Sequence, residues 1–389
     1  MEKKLVKVVP GILDIEDPEA DLQEALFSLE EETLLKLDRN EATVTPSPMV
    51  YEALTKSLDR LSLNRQPDNR SRKLRRKLAH YSGVNFDNIS CFANTTIAVD
   101  TIARTYLQPG LDALVGWPCE NSIADYIGAT GARIIFSKHE NSFEPKVEEF
   151  AAGMTSKTRL IYLANPNGIS GSILTESEIV FLLSYAENAM VVVDESYFEF
   201  CGVTVSELLS KYPNLAVLRT FSKAFALASM DAAYLMTDER NLKYINRLGC
   251  NKAPNTLAQV AAESAIDDLR YTASFVRVVN ESKKMLFENL VRMGYNFRIT
   301  SANFFLLRVK DPDSLVETLT RNNIFVNNLL DYPGYENQIR ITIGTLSQTG
   351  VLIDILARQS DTQTLGKSLK TSAIRLKEPL RPIEESLVK

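Results

Sequence analysis

Two short runs, Met190–Val193 and Leu215–Leu218, carry no polar residue at all, the pattern of strands buried on both faces of a parallel sheet. Around them, from about 48 to 265, apolar strands alternate with amphipathic helices: helices at 71–82, 97–107, 121–129 and 175–187, strands at 112–115, 133–136 and 159–163. Strands separated by helices predict an α/β unit with a mostly parallel sheet covered on both faces. After a helix at 257–270, a long helical stretch at 273–293 leads to strands near 303–308 and 338–342 and a helix at 346–358, the pattern of a smaller α+β unit. The expected organisation is an N-terminal arm (1–47), a large domain (48–270), a small domain (271–358) and a polar tail (359–389). The acidic second half of the arm, 16–32, reads as one helix. The tail, rich in Ser, Thr, Lys and Pro, reads as a disordered or docking segment.

Composition narrows the function classes. With 389 residues, 45% hydrophobic and 24% charged, the chain is of ordinary globular type. A net charge of −5 offers no field for nucleic acid, and the basic stretch 70–77 reads as a solvated helix face. Cys91, Cys119, Cys201 and Cys250 show no CxxC spacing and the histidines are His80 and His139, so no metal site is expected. The first residues have no signal-peptide core and no run is long enough to span a membrane, which makes a cytoplasmic protein with no membrane partner the expectation.

Asp194 closes the first apolar run and Lys223 lies just past the second, 223 − 194 = 29 residues on. Ligands of open α/β sheets collect at the carboxyl ends of strands. A lysine there can form a Schiff base with an aldehyde cofactor, while an aspartate facing a pyridine nitrogen keeps it protonated, so that the ring accepts carbanion electrons. The spacing fits pyridoxal 5'-phosphate (PLP) chemistry, with Tyr197 placed to hydrogen-bond the ring hydroxyl. The structural alternative is a turn-forming aspartate paired with a nearby lysine.

The words LDRNEATVTPSP (37–48), NRQPDNRSRKLRRKLAHYSGV (64–84), YLQPG (106–110), LIYLANPNGISGSIL (160–174), DESYFEF (194–200), YPNLAVLRTFSKAFALA (212–228), SANFFLLRV (301–309) and IRITIGT (339–345) carry a resemblance over roughly 36–358. The chain resembles the class I/II aminotransferases of fold type I, and within them the histidinol-phosphate aminotransferase branch. The resemblance implies PLP as cofactor and a homodimer, with the arm covering the active site. It implies Lys223 as Schiff-base lysine, Asp194 as ring-nitrogen partner, Tyr197 as ring-hydroxyl donor, and Ser222, Thr95, Thr96 and Asn167 as further cofactor contacts. Arg340 would grip a substrate α-carboxylate by a bidentate pair that lysine could not reproduce.

Other positions depart from the family's pattern. The asparagine that touches the cofactor hydroxyl falls on Gly168, and the arginine set against the cofactor phosphate falls on Asp231. The ring-stacking aromatic falls on Glu120, leaving Trp117 as the nearest replacement, and the phosphate loop becomes Asn94-Thr95-Thr96, whose helix start still offers N–H groups. Two tyrosines fall on Gln66 and Lys252, and a third, of the N-terminal word, falls on Val44. The arginine that serves a substrate phosphate falls on Asn327, which argues against histidinol phosphate. Two accounts fit. In one, PLP binds with Lys252 or Arg65 supplying positive charge, and Glu120 and Asp231 make an acidic pocket for an amino acid with a cationic side chain; transamination, elimination, cyclisation and oxidation all remain open. In the other, the fold has lost PLP and does other chemistry or serves as a non-catalytic partner.

Overall fold

The computed structural model describes residues 34–58, 64–137, 146–248 and 253–363. The helix expected at 16–32 lies outside the described residues, as do Lys252 and the tail beyond 363. In chain order the strands are β1 (Leu35–Lys36), β2 (Ile89–Phe92), β3 (Asp112–Gly116), β4 (Arg133–Ser137), β5 (Thr158–Ala164), β6 (Met190–Asp194), β7 (Leu215–Thr220), β8 (Ala233–Thr237), β9 (Asn296–Ile299), β10 (Phe304–Arg308), β11 (Ile324–Phe325), β12 (Asn327–Asn328) and β13 (Gln338–Thr342).

Seven of these form one sheet in the order β2-β8-β7-β6-β5-β3-β4. From β7 to β4 every neighbouring pair is parallel, and only β8 is reversed, antiparallel to both β7 and β2. The apolar runs of β6 and β7 are explained by two cores. Val191, Val193, Leu215 and Val217 pack on one face with Leu74, Leu78, Ile179 and Leu182, while Val192, Ala216 and Leu218 pack on the other with Val99, Ile102 and Ile123. Alternate side chains point to opposite faces, so a strand covered twice must be apolar throughout.

A second sheet, β12-β13-β10-β9, is antiparallel and packs against the helix Leu269–Arg292 through Phe275, Val279, Leu286 and Phe305. The described part of the arm joins this unit: β1 pairs with β11, and Thr342 N donates to Leu37 O (2.8 Å).

Several boundaries differ from expectation. The helices expected at 257–270 and 273–293 are Thr256–Asp267 and Leu269–Arg292, divided at Asp268, whose side chain accepts from Tyr271 N and so caps the second helix. The expected domain boundary at 270/271 falls inside that second helix. The last helix runs Leu346–Gln363, so 359–363 are helical. The helix expected at 175–187 is Glu176–Tyr185, started by a capping box of Thr175 and Glu178. The basic stretch is a helix surface, as expected: Arg72 pairs with Asp68, Lys73 with Glu263 and Lys77 with Asp267.

Candidate active site

Asp194 ends β6 and Lys223 follows β7, so adjacent parallel strands deliver them to one end of the sheet. Both line a cavity of about 140 Å³, together with Thr95, Glu120, Asn167, Gly168, Tyr197 and Ser222. Asp194 is buried. Its Oδ2 accepts from Tyr162 Oη (2.9 Å) and its Oδ1 from the N–H and hydroxyl of Ser196. Burial nevertheless holds the Asp194 carboxyl above its ordinary pKa, with Glu120 adding to the shift and the hydrogen bonds opposing it. A cationic ring nitrogen is the kind of partner that would relieve that cost.

Lys223 Nζ stands 5.8 Å from the Tyr197 ring centroid and donates to Arg39 O (2.9 Å). Burial lowers the Lys223 pKa, Glu120 opposes that shift and Arg340 adds to it. Tyr197 Oη accepts from Asn40 Nδ2 (2.9 Å), and Asn40 Nδ2 also donates to Gly168 O (3.2 Å). Arg340, on β13, donates from Nη1 to Gly168 O (2.8 Å) and from Nη2 to Asp38 O (2.9 Å). Its buried Nε has no hydrogen-bond partner among the described residues. A carboxylate that bonded Nε and a terminal nitrogen would satisfy that orphan donor, the role expected of Arg340.

Thr95, which also lines the cavity, opens the helix Thr95–Tyr106, capped by Asn94 Oδ1 accepting from Ile97 N (2.9 Å). Thr220 Oγ1 donates to Ser222 Oγ (3.0 Å), and both residues line the same cavity as that helix N-terminus, where N–H groups favour an anion. Thr96 is in the first turn of the helix but does not line the cavity.

Three expected contacts take a different form. Asn167 lines the cavity, but its side chain is committed to the loop: Oδ1 accepts from Ile169 N (3.0 Å) and Ser170 N (2.9 Å), and Nδ2 donates to Pro118 O (2.7 Å). Its amide shapes the loop rather than offering a free donor. Asp231 is exposed, does not line the cavity, and has a left-handed backbone (φ 50°) at the end of the turn Ala228–Met230. The structure therefore does not bring Asp231 to the substrate space. Arg65 and Gln66 are exposed in the loop before the helix Arg72–Ser82.

Glu120 does reach the site. It stands at the N-cap of the helix Asn121–Gly128 without making a capping bond. A Cβ at Gly168 would lie 3.1 Å from Glu120 Oε1 and 3.3 Å from Tyr197 Oη. Asn327 is the cross-strand partner of Arg340, and neither residue lines the cavity.

Sequence reasoning missed Tyr162, Ser196 and Thr220, and the carbonyls of Asp38 and Arg39. Tyr162 had a signal, since it sits on β5 in register with Val192 of β6. The carbonyls had none, because any residue supplies one.

A lysine, a buried acid and a tyrosine line one cavity beside a helix N-terminus at the ends of parallel strands, the arrangement expected of a PLP-dependent transferase of fold type I. The chain belongs to the aminotransferase class I and II family, whose model matches residues 32–356. It is 32% identical to histidinol-phosphate aminotransferase 2 of Carboxydothermus hydrogenoformans over 331 residues, 82% of this chain and 90% of that protein. It is 30% identical to a dihydroxyacetone phosphate transaminase of Campylobacter jejuni, over 85% of this chain and 91% of that one. Among solved structures, histidinol-phosphate aminotransferase of Sinorhizobium meliloti in complex with pyridoxal-5'-phosphate superposes with a TM-score of 0.83 at 19% identity, covering 92% of this chain and 98% of that one. Aspartate aminotransferase of Thermotoga maritima gives 0.80 at 19% identity, covering 91% and 100%. These two likenesses concern the fold.

The enzyme is thus a PLP-dependent aminotransferase by family, and the residues present fit that cofactor. In the family's arrangement Lys223 would meet the aldehyde, Asp194 the ring nitrogen, Tyr197 the ring hydroxyl, and Thr95 with Ser222 the phosphate; all five line the cavity.

Proposed function

We propose that the enzyme acts, as a homodimer, on an amino acid with a cationic side chain and not on histidinol phosphate. The observation that carries this reading is the Glu120 carboxylate on the same cavity as Lys223, Tyr197 and Asp194. Bound PLP supplies an electron-accepting ring. The chain does the rest. Tyr162 and Ser196 hold the Asp194 carboxylate fixed, so that it faces a ring nitrogen without reorganising. Arg340 holds the substrate α-carboxylate through Nε and a terminal nitrogen, which fixes the α-carbon near Lys223. Lys223 Nζ then accepts the α-proton, a task suited to an amine whose pKa is lowered by burial.

Two features favour the side-chain class. Trp117 and Tyr332 have ring centroids 6.2 Å apart, and Trp117 is next in sequence to the Pro118–Glu120 stretch that lines the cavity, so aromatic faces adjoin the segment that carries the carboxylate. Asn327, across from Arg340, offers no charge to a substrate phosphate.

An amino-donor panel with 2-oxoglutarate tests the reading, scored for ketoacid and for hydrogen peroxide. Arginine, ornithine or lysine should exceed aspartate and histidinol phosphate by about tenfold in kcat/KM, or ~1.4 kcal/mol. Preference for histidinol phosphate would overturn it and leave the family assignment intact. Peroxide in place of ketoacid exchange would show an oxidase outcome.

A further inference from the structure

The Glu120–Gly168 contact joins two departures that are remote in sequence. The first missing side chain makes room for the second acid: at 168, a Cβ would stand 3.1 Å from Glu120 Oε1, tighter than an ordinary van der Waals contact, and 3.3 Å from Tyr197 Oη. Glu120 makes no capping bond to its own helix, so its carboxylate is available to the cavity. Tyr197 Oη already accepts from Asn40, and Lys223 Nζ is held by one backbone carbonyl, that of Arg39.

We propose that Glu120 is a positioning residue for Lys223, its carboxylate standing beside Tyr197 in the space left by the absent side chain at 168 and serving as the counter-anion of the lysine. The surroundings of Lys223 agree. The groups acting on it are Glu120 at the start of the helix 121–128, Asp194 at the end of β6, Glu41 after β1, Arg340 on β13, and the Tyr197 ring; Glu120 is the strongest of the charges. Burial drives Lys223 towards the neutral amine, and the carboxylate holds it back. Burial also raises the Tyr197 hydroxyl, with Glu120 the largest charge adding to it, so Tyr197 stays a hydrogen-bond donor.

The inference concerns the site read above as the aminotransferase centre but is tested on full-length protein freed of cofactor, so its failure and that of the substrate reading are separable. Acetic anhydride modifies only the neutral amine. The pH midpoint of Lys223 acetylation, quantified by peptide mass spectrometry, reports its pKa independently of access. Glu120→Gln should lower that midpoint by about one unit, a tenfold rise in the neutral fraction below it. Glu120→Asp, which keeps the charge but withdraws it, should fall between. Gly168→Ala should shift the midpoint the same way by crowding the carboxylate, and should add nothing in the Glu120→Gln background. Melting curves confirm that each variant is folded. An unchanged midpoint in Glu120→Gln, or a Gly168→Ala shift of equal size with and without Glu120, would overturn the proposal.

Discussion

Two clusters of charge, one at Arg219 in the core and one at Lys223 on the cavity, are built in opposite ways. In the core, Arg219 pairs with Glu195 at 2.8 Å, both side chains about 2% exposed or less. Their neighbours Thr204, Val205, Phe198, Tyr81 and Glu199 are tied into the same cluster. Arg219 Nη2 donates to Thr204 Oγ1 (2.7 Å), its guanidinium lies 3.6 Å from the Phe198 ring centroid, Glu195 Oε1 accepts from Val205 N (2.7 Å), and Tyr81 Oη donates to Glu199 (2.9 Å). Around the cavity, Lys223 is held by a backbone carbonyl and Glu120 is exposed; Arg340, which does not itself line the cavity, bonds the carbonyl of the lining residue Gly168, and its Nε has no partner among the described residues. The same residue types serve different ends. Charges whose partners are all side chains and backbone of the core specify the fold; charges resting on exchangeable carbonyls remain available to a ligand.

The contrast breaks most visibly at its two cations. Lys223→Ala should lower turnover by ~10⁴-fold while leaving the melting temperature nearly unchanged, because the removed amine faces the cavity and gives up a bond to one backbone carbonyl, that of Arg39, rather than a buried ion pair. Arg219→Met should do the reverse, costing about 3–5 kcal/mol of stability in denaturant titrations, since Glu195 would remain buried without its cation. Kinetic loss at position 219 without loss of stability would erase the distinction.

Smaller effects sharpen it. Gly171, in the loop that carries Gly168, has φ +68°, and a Cβ there would meet Thr300 Cγ2 at 2.1 Å. Gly171→Ala should destabilise by about 2–4 kcal/mol through overpacking and a left-handed backbone, with unfolding curves as the check. The smallest effect is a pH dependence. Burial raises Glu199 from 4.5 to about 7, and the Arg219 charge opposes that. The folded state thus holds this proton more tightly than the unfolded chain. Its contribution to stability is complete below about pH 4.5 and is lost as pH rises through about 7. Glu199→Gln should flatten that decline, gaining on the wild type by on the order of 2 kcal/mol between pH 5 and 8.

The legible parts of the molecule were those that local pattern dictates. Met190–Val193 and Leu215–Leu218 could only be doubly covered strands, and their ends located Asp194 and Lys223. β2 and β8 escaped because ISCF and AYLMT carry no unbroken β-branched run like the valines of β6. Position 120 could be read as an acid replacing a ring, and 168 as a missing amide, but their meeting depends on two loops whose separation only the fold decides. Asp231 illustrates the limit: its place in the chain suggested the cavity, whereas the backbone turn at Ala228–Met230 leaves its carboxylate in solvent. Glu195, Glu199 and Arg219 were in plain view within words already noted, yet their mutual pairing is a long-range contact.

The account rests on Lys223 being the residue that receives the cofactor. Incubating the full-length protein with PLP, reducing with borohydride and mapping peptides by mass spectrometry tests this directly. The predicted result is a single reduced adduct on Lys223, absent in Lys223→Ala. An adduct on another lysine, or no cofactor uptake with Lys223 unmodified, would contradict it.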